Sequence, residues 1–174
     1  MALNQMTKTV LDANCFIDAI NSNAHASVAV QIILSACSSG KLTVMVSRHT
    51  LSELSAKPDG AYQLAQTFEI LPHWPVGSIC EQVAMIKDLA GTWADAHDNE
   101  RMQKELGQLA KSGNDIRDRG ALLDAIRAKV DVFVTSDRQL AGSGPAKRIQ
   151  TSFGIRILSP GELANEISQT LSTP

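Results

Sequence analysis

Two carboxylic acids follow apolar segments of this chain at the point where each segment ends. Asp12 comes directly after Thr9–Leu11, and Asp137 comes shortly after Val132–Thr135. Short continuous runs of apolar and β-branched residues are typical of strands buried in a parallel sheet. The carboxyl ends of parallel strands meet at one edge, where ligands bind in open α/β sheets. We therefore expect Asp12 and Asp137 at a common site.

Two more acids are expected at the same edge, on helices next to these strands. Glu53 lies on the helix that follows Leu42–Val46, and Asp118 lies in the first turn of a helix that begins near Asp115. Clustered carboxylates repel, and a pair ~4 Å apart costs about 4 kcal/mol at a surface-like dielectric. A divalent cation relieves this repulsion, and Mg²⁺ or Mn²⁺ suits such hard oxygen ligands.

The residues alone support two interpretations of this acidic cluster. A bound cation can orient a phosphodiester, activate water and stabilise the leaving oxygen, which predicts metal-dependent hydrolysis. The alternative is structural, because aspartate caps helices and favours the positive end of the helix dipole. Asp115 and Asp118 fit a capping role as well as they fit a metal site. Spacing alone leaves both interpretations open.

The elements that must position these acids alternate between strand and helix. Strands are predicted at Thr9–Leu11, Leu42–Val46, Glu69–Leu71, Val132–Thr135 and Arg156–Leu158. Helices are predicted at Asn14–Ile20, Ser27–Ser38, after Ser47, from Gly60 to about Phe68, from Ser78 to about Trp93, at Arg101–Ala110 and Asp115–Ala128, and from Pro160 onward. This alternation predicts a three-layer α/β/α fold with a central parallel sheet. The 174 residues suffice for a single domain that spans 1–174.

Composition narrows the class of protein. The net charge is −2, so any nucleic-acid contact must use local rather than overall positive charge. The three cysteines are widely scattered, which favours reduced thiols in a cytoplasmic protein. No apolar run approaches the ~20 residues of a membrane helix, and residues 1–7 lack the apolar core of a signal peptide. We expect no membrane association.

Three segments resemble the PIN-domain ribonuclease family. Val10–Ile17, which reads VLDANCFI, looks like the family's opening strand with its first acid. Val132–Leu140, which reads VFVTSDRQL, is similar to the segment with the fourth acid. Ile157–Leu163 resembles the usual ending, a short strand followed by a helix. The resemblance spans nearly the whole chain, and its specificity lies in the order and spacing of the motifs.

The resemblance implies specific roles for the four acids. Asp12, Glu53, Asp118 and Asp137 would be the catalytic metal ligands, because Ser47–Leu54 matches the segment of the second acid and Asp118 precedes Asp137 by the family's interval. The implied protein is an endoribonuclease that uses Mg²⁺ or Mn²⁺ to hydrolyse RNA. Such proteins are often homodimers, and often the toxin of a bacterial toxin–antitoxin pair, which would make an antitoxin protein a partner.

Supporting roles are also implied by the resemblance. Asn14 would help to hold the first acid and metal waters, although it could instead cap a helix. Thr135 would bond Asp12 or a metal water, although a β-branched residue is equally at home at a core edge. Arg48, Arg119 and Arg138 lie near the acidic edge and would bind RNA phosphates, or would be solvated surface.

This chain departs from the family pattern in two places. Asp118 is followed by Arg119 and Gly120 rather than by small apolar residues, which leaves Asp115 as a rival for the third acid. The region 91–113 is longer and more charged than in the compact toxins of the family. These departures bear on the toxin role more than on the fold.

Other residues and functions carry weaker predictions. Asp18 is interpreted as solvent-exposed or dimer surface, with a position near the site as the alternative. Asp124 is interpreted as structural or surface, and His49 as lacking a catalytic partner. A haloacid-dehalogenase-like phosphatase also places Asp after the first strand, but it requires a second Asp where this chain has Asn14. The remaining alternative is a catalytically inactive PIN-like module that binds RNA or protein.

Overall fold

Five parallel strands form the centre of the molecule. The structure is a computed structural model that describes residues 7–22, 26–56, 59–72, 104–105, 116–142 and 144–171. Its strands are β1 (Thr7–Leu11), β2 (Leu42–Val46), β3 (Glu69–Ile70), β4 (Val132–Val134) and β5 (Arg156–Leu158). They lie in the order β3-β2-β1-β4-β5, with every neighbouring pair parallel. The strands β2 and β5 begin and end at the predicted residues.

Eight helices in the described ranges surround this sheet. They are α1 (Ala13–Ile20), α2 (Ser27–Ser38), α3 (Arg48–Leu54), α4 (Gly60–Ala65), α5 (Ile116–Arg127), α6 (Arg138–Gly142), α7 (Gly144–Phe153) and α8 (Pro160–Leu171). The helices α6 and α7 lie where no element was predicted. The predicted helices at 78–93 and 101–110 and the charged region 91–113 fall outside the described residues, apart from 104–105. None of the described helices has the length and apolar character that a membrane crossing requires.

The strands β1, β2 and β4 are buried on both faces over most of their length, which explains their continuous apolar sequences. Val10 and Phe133 belong to one apolar cluster, which includes residues of α5 and α7. Their chain neighbours Leu11 and Val134 belong to a second cluster, which includes residues of α1, α2, α4 and α8. Successive side chains of a strand point to opposite faces, so the two clusters lie on either side of the sheet. The predicted three-layer α/β/α fold is confirmed.

The strand order places a topological switch point beside β1. The chain proceeds from β1 outward through β2 to β3, and then returns to the other side of β1 for β4 and β5. Val10 pairs with Met45 of β2 on one side and with Phe133 of β4 on the other. In open α/β sheets, connections that leave in opposite directions favour a ligand site beyond the carboxyl ends of the strands. The residues that follow β1, β2 and β4 lie at this edge of the sheet.

A tight reversal joins α5 to β4. The amide of Lys129 donates to the Ile126 carbonyl at 3.0 Å, and the amide of Val130 donates to the Ala125 carbonyl at 3.0 Å. This pair of bonds is a Schellman motif, which uses a left-handed residue after the helix. Lys129 occupies that position with φ of 52°, where glycine is the usual residue. The motif directs the chain from α5 into β4 without a long loop.

Replacing Lys129 with glycine should stabilise the fold. A left-handed conformation costs an L-residue roughly 1–2 kcal/mol, and the greater freedom of unfolded glycine offsets part of this. We expect Lys129→Gly to raise the unfolding free energy by about 1 kcal/mol in urea denaturation. The matched control is Lys147→Gly, which places glycine inside α7 and should lower it by about 1 kcal/mol. A destabilised Lys129→Gly protein would contradict the role given to this motif.

Candidate functional site

Asp12 is a buried carboxyl group at the carboxyl end of β1. Its side chain is only 2% exposed. Its amide donates to the Val134 carbonyl at 3.1 Å, so the β1–β4 pairing extends to this residue. Its Oδ1 accepts from the Cys15 amide at 3.0 Å and caps α1. Its Oδ2 is buried without a hydrogen-bonding partner. The capping interpretation is therefore correct for one oxygen and leaves the other available.

The surroundings of Asp12 disfavour its charged form. Burial raises the pKa of Asp12 from an ordinary 3.8 to about 6. The Thr135 side chain and the Cys15 amide act in the opposite direction, and the charge of Glu53 raises the pKa further. A carboxylate that is desolvated and faces another negative charge is costly unless a cation compensates it. Asp12 therefore has the character expected of a cation ligand.

Glu53 reaches the same site from β2. Ser47 is the N-cap of α3, as predicted, and its hydroxyl accepts a hydrogen bond from the Thr50 amide at 3.0 Å. This cap turns the chain from β2 into α3 within one residue. Glu53 is half-buried in the last turn of the helix. Its effect on the pKa of Asp12 shows that the two side chains are within electrostatic range.

Asp137 and Thr135 follow β4, the other neighbour of β1. Thr135 is 0% exposed, and its Oγ1 accepts from the Asp137 amide at 3.0 Å. Its influence on the pKa of Asp12 supports the predicted contact between Thr135 and that carboxyl. Asp137 itself is half-buried. Asp12, Glu53 and Asp137 thus lie on the segments that follow three adjacent strands.

A hydrogen bond that the sequence did not predict fixes the loop after β4. The Ser136 hydroxyl donates to Asp18 Oδ2 at 2.7 Å. The prediction that Asp18 is solvent surface is wrong and the alternative position near the site agrees with the structure, because this half-buried carboxylate anchors the loop between Thr135 and Asp137. Its spacing of three residues from buried Cys15 places it on the same face of α1, which was the available signal.

The other predicted site residues fall into three groups. Asn14, Arg48 and Arg138 are exposed, and Asp12 rather than Asn14 caps α1, so the capping alternative for Asn14 is wrong. Arg119 is half-buried with its Nε out of contact with water and unpartnered. The backbone of Asp118 lies in the first turn of α5, but its side chain and Asp115 lie outside the described structure. The choice between these two as third acid stays a prediction.

A histidine–aspartate contact lies between α3 and α5. His49 Nε2 is 3.9 Å from Asp124 Oδ2, and the Asp124 side chain is fully buried. The prediction that His49 lacks a catalytic partner is not tested by this contact, while the structural interpretation of Asp124 agrees with its burial. The contact was missed because the two residues are distant in the chain and only the packing of the helices joins them.

Within the described residues, no group of three or more His, Cys, Asp and Glu side chains has the arrangement of a preformed metal site. The Asp118 side chain lies outside these described residues. No protein-family model matches the chain, and no curated protein sequence matches it significantly. The resemblance to PIN-domain ribonucleases therefore rests on the quoted motifs.

The raised pKa of Asp12 predicts a specific pH dependence of stability. The folded state holds this proton more tightly than the unfolded state. The ionised carboxylate therefore does not lower the free energy of unfolding below pH 3.8, and lowers it increasingly as the pH rises to about 6. The shift corresponds to about 3 kcal/mol of destabilisation above that range. Asp12→Asn abolishes the charge and preserves the capping oxygen.

Urea denaturation of wild type and Asp12→Asn in EDTA should reveal this penalty. The stability of the variant relative to wild type should increase by about 2 kcal/mol between pH 4 and pH 8. Any constant cost of the new amide group cancels in this comparison. A difference that does not change with pH would show that Asp12 ionises normally in the folded protein.

Proposed function

We propose that this protein is a metal-dependent endoribonuclease that hydrolyses RNA phosphodiester bonds at the site around Asp12. The observation that carries the proposal is the buried Asp12 carboxyl, with an unpartnered Oδ2 and a second acid in range. Folding gains only the α1 cap from this carboxyl group, and a neutral residue such as asparagine would supply that cap without the cost of a buried charge. A site that recruits a divalent cation provides a reason for it.

The donor groups fit Mg²⁺ or Mn²⁺. Asp12, Glu53 and Asp137 offer carboxylate oxygens, and these hard ligands suit small divalent cations that keep several waters. Cys15 is the nearest soft ligand, but it is fully buried, and burial raises the pKa of its thiol well above the ordinary value. The chemistry of the site therefore favours an oxygen-bound cation over zinc.

The proposed roles follow from the positions of the side chains. A bound cation would polarise the scissile phosphate and acidify a water molecule. Asp12, Glu53 and Asp137, with Asp118 or Asp115 as the fourth acid, would hold the cation. Thr135 would orient the Asp12 carboxyl, and exposed Asn14 would bind a water at the rim. No side chain is assigned a covalent step.

The biological setting is part of the proposal and rests on the resemblance to PIN-domain ribonucleases. That family implies a toxin of a bacterial toxin–antitoxin pair, with an antitoxin and a second copy of the chain as partners. A cytoplasmic location would accord with RNA as the substrate. The antitoxin and the second copy of the chain stay predictions.

RNA cleavage is the direct test of the proposal. Wild-type protein should cleave a mixed RNA pool with added Mn²⁺ or Mg²⁺, and EDTA should abolish the cleavage. Asp12→Asn and Asp137→Asn should each lower kcat by more than about 100-fold, because even indirect partners of metal ligands contribute about 10–100-fold. Mn²⁺ at 100 times its Kd should also stabilise wild type by about 3 kcal/mol.

The matched control is Asp131→Asn. Asp131 is exposed and directly precedes β4, where its Oδ2 accepts from the Lys8 amide at 2.8 Å. It is therefore an aspartate at the opposite end of the same strand as Asp137, and its replacement should leave cleavage unchanged. If folded wild type neither cleaves RNA nor gains stability from Mn²⁺, the nuclease proposal is wrong and the inactive binding module is the better interpretation.

RNA binding should depend on the exposed arginines at the acidic edge. Arg48 begins α3 and Arg138 begins α6, so both follow strands that end at the site. Arg48→Ala and Arg138→Ala should each raise KM several-fold, leave kcat unchanged and flatten the salt dependence of binding by roughly one phosphate contact. Lys41→Ala is the control, because exposed Lys41 precedes β2 at the other edge. An equal effect of all three variants would indicate only general charge attraction.

A further inference from the structure

The short helix α3 contacts the helices on both sides of the sheet. It packs against α1 and α4 on one side of the sheet and against α5 on the other. It carries Glu53, whereas α5 carries Asp118. The distance between these acids therefore depends on how α3 lies against α5. Whatever fixes this interface also determines the geometry of the proposed cation site.

The imidazole of His49 lies directly on the backbone of α5 at Gly120. A Cβ atom at Gly120 would lie 2.7 Å from Cγ, Cδ2 and Cε1 of the ring. No side chain other than glycine's hydrogen fits under the ring in this position. This explains the glycine that departs from the family pattern two residues after Asp118.

Asp124 holds the outer edge of the same ring. Its Oδ2 is 3.9 Å from His49 Nε2, and its side chain is fully buried. Arg127 lies on the same face of α5, one turn later, and the Asp124 carboxylate counters the lowering of the pKa of Arg127 by burial. A buried carboxylate that has specific partners is a weak source of stability, and its best-attested use is to specify geometry.

We propose that His49 is a positioning residue that, through its contacts with Gly120 and Asp124, fixes α3 against α5 and thereby sets the place of Glu53 in the acidic site. The inference rests on the proposed metal-dependent hydrolysis. His49 and Glu53 are four residues apart, so they share one face of α3. The contact that fixes His49 therefore determines the direction of Glu53 one turn later.

Two substitutions of His49 test this role. His49→Leu fills the space but has no polar group for Asp124, whereas His49→Gln keeps a nitrogen at the distance of Nε2. We expect His49→Leu to weaken Mn²⁺ binding in titration calorimetry and to lower kcat, each by about tenfold, with KM for RNA unchanged. His49→Gln should recover most of both losses. Ser52→Ala, on an exposed position of α3, is the control and should match wild type.

Gly120→Ala provides a second route if the leucine variant does not fold. The added methyl group displaces the ring while His49 and Asp124 both remain. The same loss of Mn²⁺ affinity is expected, and combining Gly120→Ala with His49→Leu should add little, because both changes remove one contact. If the losses of Mn²⁺ affinity in the two single variants add together in the double variant, the proposed mechanism is wrong.

The outcomes separate this inference from the proposed function. If wild type binds Mn²⁺ and cleaves RNA, but folded His49→Leu and Gly120→Ala do the same, the positioning role is wrong and the nuclease stands. If KM rises while Mn²⁺ affinity is unchanged, His49 contacts substrate and the positioning role is again wrong. If wild type neither binds Mn²⁺ nor cleaves RNA, the proposed function fails and this inference fails with it.

Discussion

The burial of one carboxyl group at the end of β1 is the constraint on which the rest of the site depends. Asp12 belongs to the central strand, and its amide continues the pairing with β4. One carboxyl oxygen caps α1, so its side chain cannot turn toward solvent without uncapping that helix. The other oxygen is left buried and unpartnered. The fold thus holds a desolvated acid in place, and the residues around it must compensate the cost of its buried charge.

The surroundings are fixed from both neighbouring strands. On the β4 side, Thr135 accepts from the Asp137 amide, and Asp18 accepts from the Ser136 hydroxyl, so the loop is tied to β4 and to α1. On the β2 side, the Ser47 cap and the stacking of His49 on Gly120 determine the direction of α3. Rigid support of this kind is what a ligand cluster requires, since a misplaced oxygen loses much of its value to a cation.

The arrangement also explains why acids rather than apolar residues occupy this edge. The switch point lies beside β1, and in sheets of this topology polar side chains at the carboxyl ends of the strands face the ligand site. Repulsion between Asp12 and Glu53 opposes folding in the absence of a counter-charge. A protein that keeps this repulsion can convert it into cation affinity, which is the physical basis of the proposed phosphodiester hydrolysis.

The sequence by itself determined the sheet and the acids that follow its strands, because burial on both faces leaves continuous runs of apolar and β-branched residues such as Leu42–Val46 and Val132–Val134. Tertiary structure decided the rest. The helices α6 and α7 follow no run that local pattern could identify, and residues distant in the chain make the Ser136–Asp18 and His49–Asp124 contacts. Local patterns record how much of an element is buried and on which face. They do not record which distant side chain meets it, since that depends on the packing of whole elements.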